Sequence, residues 1–134
     1  MALIRWDESY SVNVSRCDAD HKELFAIVGI LHDAMSACSG AAVVRQVIEK
    51  LSEHTQKHFS NEEWLMEKTG FSGLDAHRIK HQELQAQVDQ FRSDIAAGTF
   101  VSSVPVAELL DTMISHTTVT DREYTEHLNA YGIF

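Results

Sequence analysis

Two donor pairs stand four residues apart in this chain: His58 precedes Glu62, and His77 precedes His81. On an α-helix that spacing puts both side chains on one face, about 6 Å apart at Cβ. Asp18 precedes His21 near the start of the chain, and His116 precedes Asp121 near its end. Two helical pairs, joined by single donors from two other segments, can converge on one point. A mixture of imidazoles and carboxylates suits iron, zinc or copper better than magnesium or calcium. The expected fold is therefore all-α, a helical bundle built around a metal centre.

Apolar residues at three-to-four spacing mark four helices. The first is expected to start at Asp18 as N-cap and to carry Leu24, Phe25, Ile27, Val28, Leu31 and Met35 inward, stopping near Ser39-Gly40. The second spans about Ala41 to Thr69, with Gly70 as its stop. The third spans about Gly73 to Ala97 and ends at Gly98. The fourth starts around Ser103-Val104-Pro105, where Ser can cap and Pro is tolerated, and runs to about Asn129. Short connections imply antiparallel neighbours, hence an up-down-up-down four-helix bundle with an N-terminal arm. One domain over residues 1–134 is expected, with 1–17 as the arm and 18–130 as the bundle. This topology brings the donors together. His21 lies early in its helix, His58 and Glu62 late, His77 and His81 early, and His116 and Asp121 late. Alternating helix direction puts them all at one end.

Composition narrows the partners. The 134 residues are 44% hydrophobic, enough for a core, and the single proline allows long elements. A formal charge of −9 argues against nucleic acid or an anionic membrane surface. No stretch approaches the roughly 20 apolar residues of a membrane span. Residues 1–10 include Arg5, Asp7 and Glu8 and have no apolar signal-peptide centre, so a cytoplasmic location is expected. Cys17 and Cys38 form no CxxC pattern and are expected as semi-buried thiols. His32, His54 and His127 are read as surface or satisfied core residues, and Glu63 as a solvated acid. His32 faces the same way as His21 but lies roughly 16 Å along the helix, out of reach of the same metal.

Taken in order, these fragments resemble the hemerythrin family, and more closely its bacterial single-domain members. They are Trp6-Asp7-Glu8-Ser9-Tyr10, Asp18…His21-Lys22…Leu24-Phe25, His58-Phe59…Glu62-Glu63…Leu65-Met66, His77…His81 and His116…Asp121. The resemblance implies two non-haem iron ions, cycling between ferrous and ferric and joined by an oxo or hydroxo bridge. It implies that one iron takes His77, His81 and His116, that the other takes His21 and His58, and that Glu62 and Asp121 bridge both. The first iron is then saturated and the second keeps one open position. An open position on a reducible metal suits a diatomic ligand. One spacing resists a straight helix. Residues five apart are turned about 140° from each other, so Asp121 is assigned by the resemblance and implies an irregular helix, such as a π-bulge.

The resemblance implies reversible dioxygen binding, as carrier, store or delivery module, without catalysis. One competing class is an oxygen or redox sensor acting on a signalling partner. Another is a di-iron enzyme acting on peroxide or nitric oxide, whose ferritin-like relatives carry Glu-x-x-His motifs that this chain lacks. Dioxygen is the expected ligand, and an oxygen-consuming enzyme or signalling protein the expected macromolecular partner. The chain departs from the usual family pattern at Gly29, where asparagine is common, and at His54, where tyrosine is common. It departs again at Thr112, Met113 and Thr117, where Trp-Leu precedes and Ile follows the histidine of the fourth helix. Thr112 and Thr117 are expected to make the ligand pocket wider and more polar.

Overall fold

Each expected helix forms, and the punctuation between them follows from a few residues. The computed structural model describes residues 6–37, 40–98 and 104–134. A short 3-10 turn, Glu8–Tyr10, precedes α1 (Ser15–Ser36), α2 (Ala41–Lys68), α3 (Leu74–Ala96) and α4 (Val104–Ser115). The fourth rod continues through a π-turn, His116–Thr120, and a 3-10 turn, Asp121–Tyr124, into α5 (Thr125–Ala130). The expected stop at Ser39, the Ser103 cap and Cys38 lie outside the described residues.

α1 begins at Ser15 rather than at Asp18, with Val14 in extended geometry before it. Asp18 sits in the first turn, where a negative charge favours the helix N-terminus. Its carboxylate accepts from the Ser11 hydroxyl at 2.6 Å and from the Val12 N–H at 2.8 Å. The residue read as a cap therefore ties the arm to the helix. At the end of α2, Gly70 takes φ 69°, and Phe71 N–H donates to the Met66 carbonyl at 2.9 Å. This is the six-to-one bond of a Schellman stop. Phe71 then folds back so closely that a Cβ on Gly73 would meet its ring at 2.7 Å.

α1 packs on α2 and α4, and α3 packs on α2 and α4, which closes an up-down-up-down bundle. The interior has two apolar clusters. The larger holds Phe25, Leu31, Ile48, Leu51, Val88 and Met113 among others, and the smaller holds Val12, Val14, Cys17, Met66, Tyr124 and Leu128. Leu31 and Leu51 are fully buried, and each such side chain contributes roughly 1.5–3 kcal/mol. A polar layer lies between the clusters on every rod: His21 between Cys17 and Leu24, Glu62 between Phe59 and Leu65, His77 between Leu74 and Leu84, and Asp121 between Met113 and Tyr124. Among the described residues, no helix is long and apolar enough to cross a membrane.

Candidate metal centre

The polar layer consists of the seven residues expected from the sequence. His21 comes from α1, His58 and Glu62 from α2, His77 and His81 from α3, and His116 and Asp121 from the fourth rod, and all are buried. Asp121 lies at the centre. Its Oδ1 is 2.9 Å from Nε2 of both His77 and His116, and its Oδ2 is 3.0 Å from Nε2 of His21. Glu62 Oε1 is 2.6 Å from His58 Nε2 and 3.6 Å from His81 Nε2.

The five-residue step from His116 to Asp121 is resolved by the backbone. Asp121 N–H donates to the His116 carbonyl, a five-residue bond that winds the chain as a π-turn. The extra residue per turn brings both side chains onto the same face.

Two sets of donor atoms arise, each with its atoms within 4.8 Å of one another: Glu62, His77, His81, His116 and Asp121, and His21, His58, Glu62 and Asp121. Both carboxylates belong to both sets. Among the described residues, Nε2 of all five histidines and all the carboxylate oxygens of Glu62 and Asp121 have no hydrogen-bond partner. The close approaches above are thus contacts without hydrogen-bond direction, with lone pairs facing shared points. A buried polar atom left unpaired costs about 1–3 kcal/mol, and a cation at each point satisfies all of them. The donor set fits a pair of metal ions of the kind that accepts imidazole and carboxylate together.

Outer atoms of two rings are held. His58 Nδ1 donates to Asp20 Oδ2 at 2.8 Å, and His81 Nδ1 donates to Glu63 Oε2 at 2.8 Å. A proton fixed on Nδ1 leaves the Nε2 lone pair facing the centre. Glu63 is in turn held by Arg78 Nε at 3.2 Å. Glu63 is therefore not a free surface acid, and Asp20 is a member of the site that sequence reading missed. Both bonds cross between helices, so no local spacing announces them.

The electrostatics follow from burial and proximity. Burial alone would raise Glu62 and Asp121. The imidazoles overcome this, His58 at Glu62 and His116, His21 and His77 at Asp121, and hold both carboxyls well below their usual range. Burial alone would lower His58, but the Glu62 charge and the Asp20 bond push it up to about 10. Burial raises Tyr124, with the Glu62 and Asp121 charges adding to it. Burial also raises the thiol of Cys17, which is fully enclosed rather than semi-buried.

The remaining histidines stay outside the layer. His54 Nε2 donates to the Asp20 carbonyl at 3.2 Å, His127 Nε2 donates to the Thr69 carbonyl at 2.9 Å, and His32 lies beside Asp33.

Family comparison matches residues 12–128 to the hemerythrin HHE cation binding domain. The chain belongs to the hemerythrin family. It is 28% identical over 131 residues to a bacteriohemerythrin of Stenotrophomonas maltophilia (strain R551-3), covering 98% of this chain and 85% of that protein. It is 27% identical over 132 residues to a bacteriohemerythrin of Methylococcus capsulatus (strain ATCC 33009 / NCIMB 11132 / Bath), covering 97% and 100%. A myohemerythrin of Sipunculus nudus is 33% identical over 90 residues, covering 67% of this chain and 69% of that one. A crystal structure of wild-type hemerythrin superposes with a TM-score of 0.89 at 26% identity, covering 95% of this chain and 98% of that chain.

Within this hemerythrin fold, a small cavity of about 10 Å³ borders His21, His58, His116 and Asp121. Its other walls are Leu24, Phe25, Phe59, Leu84, Met113 and Thr117. It adjoins three of the four members of the donor set with fewer imidazoles. Outside it, Trp6 and Tyr10 of the arm pack on Phe25 at 6.0 and 5.7 Å. Phe59 stacks on His81 at 4.0 Å, with the rings 7° from parallel. Thr117 is a wall residue, as expected. Thr112 is not: it is exposed, its hydroxyl donates to the Glu108 carbonyl at 3.0 Å, and it faces the groove between α3 and α4. The family departure at Thr112 therefore leaves the cavity unchanged.

Proposed function

We propose that the chain binds dioxygen reversibly at a pair of non-haem irons, as a carrier, store or delivery module. One iron is assigned to His77, His81 and His116 and the other to His21 and His58, with Glu62 and Asp121 bridging both, together with an oxo or hydroxo bridge. The observation that carries this reading is the position of the cavity against the donor-poor set. His21, His58 and Asp121 would hold a metal beside a space about the size of one water-sized guest. Iron held by these residues would supply the electrons that reversible dioxygen binding requires.

The chain's own residues do the rest. Asp20 and Glu63 orient His58 and His81. Leu24, Phe25, Phe59 and Leu84 exclude water and offer no acid or base, which favours release over onward chemistry. This supports binding rather than catalysis. The match over residues 12–128 supports one hemerythrin-like domain across the sequence, and the free, buried Cys17 thiol suits a cytoplasmic setting.

The test is the visible spectrum of the iron-loaded protein, recorded without air, in air, and after air is removed. A band that appears in air and disappears on its removal is expected. Irreversible conversion to the ferric state in a single exposure overturns reversible binding.

Thr117 sets a second expectation. Among the described residues its side chain is the one hydroxyl of the cavity walls, and a hydroxyl holds water near the ligand more readily than a hydrocarbon does. Thr117→Ile should slow decay of the air-induced band by roughly threefold to tenfold, about 1 kcal/mol in the barrier. Stopped-flow decay at fixed pH and salt measures it. Unchanged decay with intact iron content removes the role of Thr117.

A further inference from the structure

We infer that Met113 is a modification site, oxidised to its sulfoxide by hydrogen peroxide at the metal centre, and that this oxidation closes the ligand cavity. The inference rests on the metal pair proposed above. Four walls of the cavity, Leu24, Phe25, Phe59 and Leu84, are hydrocarbon, and Thr117 is a hydroxyl. Met113 supplies the thioether, a soft sulfur with lone pairs that peroxide attacks readily. Its side chain is only 4% exposed, so it meets the cavity rather than bulk solvent.

The reaction balances without net change at the metals. The sulfur gives an electron pair to one peroxide oxygen, the S–O bond forms as the O–O bond breaks, and the other oxygen leaves as water with both protons. Sulfur is oxidised by two electrons and peroxide is reduced by two. A bound cation would stabilise the charge that develops on the departing oxygen, and Met113 lines the cavity beside the donors. The product carries one more polar atom into a space of about 10 Å³. That atom occupies the room a diatomic ligand needs, so exposure to peroxide switches ligand binding off.

Two other methionines are internal controls. Met35 is more exposed than Met113, at the far end of α1, and Met66 is fully buried in the smaller cluster, away from the cavity walls. Oxidation from bulk solvent follows exposure and takes Met35 first. Oxidation directed by the centre takes Met113 first.

The experiment exposes iron-loaded and metal-free protein to equimolar hydrogen peroxide and follows each methionine by peptide mass, with iron measured on the same samples. In the iron-loaded protein Met113 should gain one oxygen about tenfold sooner than Met35 or Met66, and in the metal-free protein that lead should vanish. Protein that holds both irons but oxidises Met35 first overturns the inference and leaves the metal reading intact. Protein that takes up no iron removes both. Met113→Leu conserves volume. Its response to air, whatever its size before treatment, should be the same after peroxide, where the parent loses its response. Loss of response in the parent with Met113 unmodified also overturns the inference.

Discussion

Glu62→Ala should leave the purified protein with less than about one iron per chain, against about two in the parent, by analogy with the large affinity losses that follow when a metal site's supports are removed. Glu62 is shared by both donor sets, and both of its oxygens are buried without a hydrogen-bond partner. Removing it takes an anionic donor from both sets at once. No other acid can replace it, because Glu63 points outward to His81 Nδ1 and Arg78, and Asp20 is engaged with His58. His32→Ala is the control. It lies on α1 beside Asp33, outside the layer, and should keep the parent's iron content. Metal analysis with anomalous diffraction measures both variants, and far-UV circular dichroism shows that the bundle still forms. A parent that holds one metal per chain, or zinc at full occupancy after expression in iron, would sink the assignment of seven ligands.

How much of this site is written locally decides what sequence reading recovers. The i,i+4 pairs, His58 with Glu62 and His77 with His81, follow from helical period alone. Their convergence follows from antiparallel topology, because each donor group sits at the matching end of its rod. Asp121 is different. A straight helix turns it away from His116, and the π-turn that corrects this brings it against His21 and His77 of two other helices as well. Nothing in His116-Thr117-Thr118-Val119-Thr120 alone specifies it.

Asp20 and Glu63 were hidden for a related reason. Adjacent residues on a helix point about 100° apart, so neither faces the centre of the polar layer beside its neighbour, His21 or Glu62. Each instead reaches the outer nitrogen of a ring on the next helix, a relation that depends on how two helices rotate against each other. Helical phase also separates Thr112 from Met113. Three residues before His116 lies the cavity wall, and four before it lies the outer groove. A difference of one position sits within the uncertainty of any phase read from period alone. The start of α1 shows the same limit, since an aspartate can serve either as a cap or, one turn in, as an anchor for the preceding chain.

Removing the metals should destabilise the protein by at least about 3 kcal/mol relative to iron-loaded protein at a free metal level roughly 100 times its dissociation constant. The loss should be concentrated at one end of the bundle. The larger apolar cluster lies beyond the polar layer and keeps its packing. The layer itself is left with buried lone pairs facing one another. Acidity acts differently on the two forms. In the metal-free protein His58, raised to about 10, contributes stability that is fully present below its unfolded value near 6.5 and is lost as pH rises towards 10. Glu62 and Asp121, both lowered, contribute stability that is present above their unfolded values and is lost as pH falls through the lowered ones. Metal binding requires His58 to lose its proton, so its apparent affinity should rise about tenfold per pH unit up to about 10 from this residue alone. The stability gap between loaded and metal-free protein should therefore widen from pH 6 to pH 8. Hydrogen exchange and thermal melts on both forms across that range measure it. Equal protection around His58, His81 and His116 with and without metal, or a gap that narrows with pH, would show that the polar layer is satisfied by the protein alone.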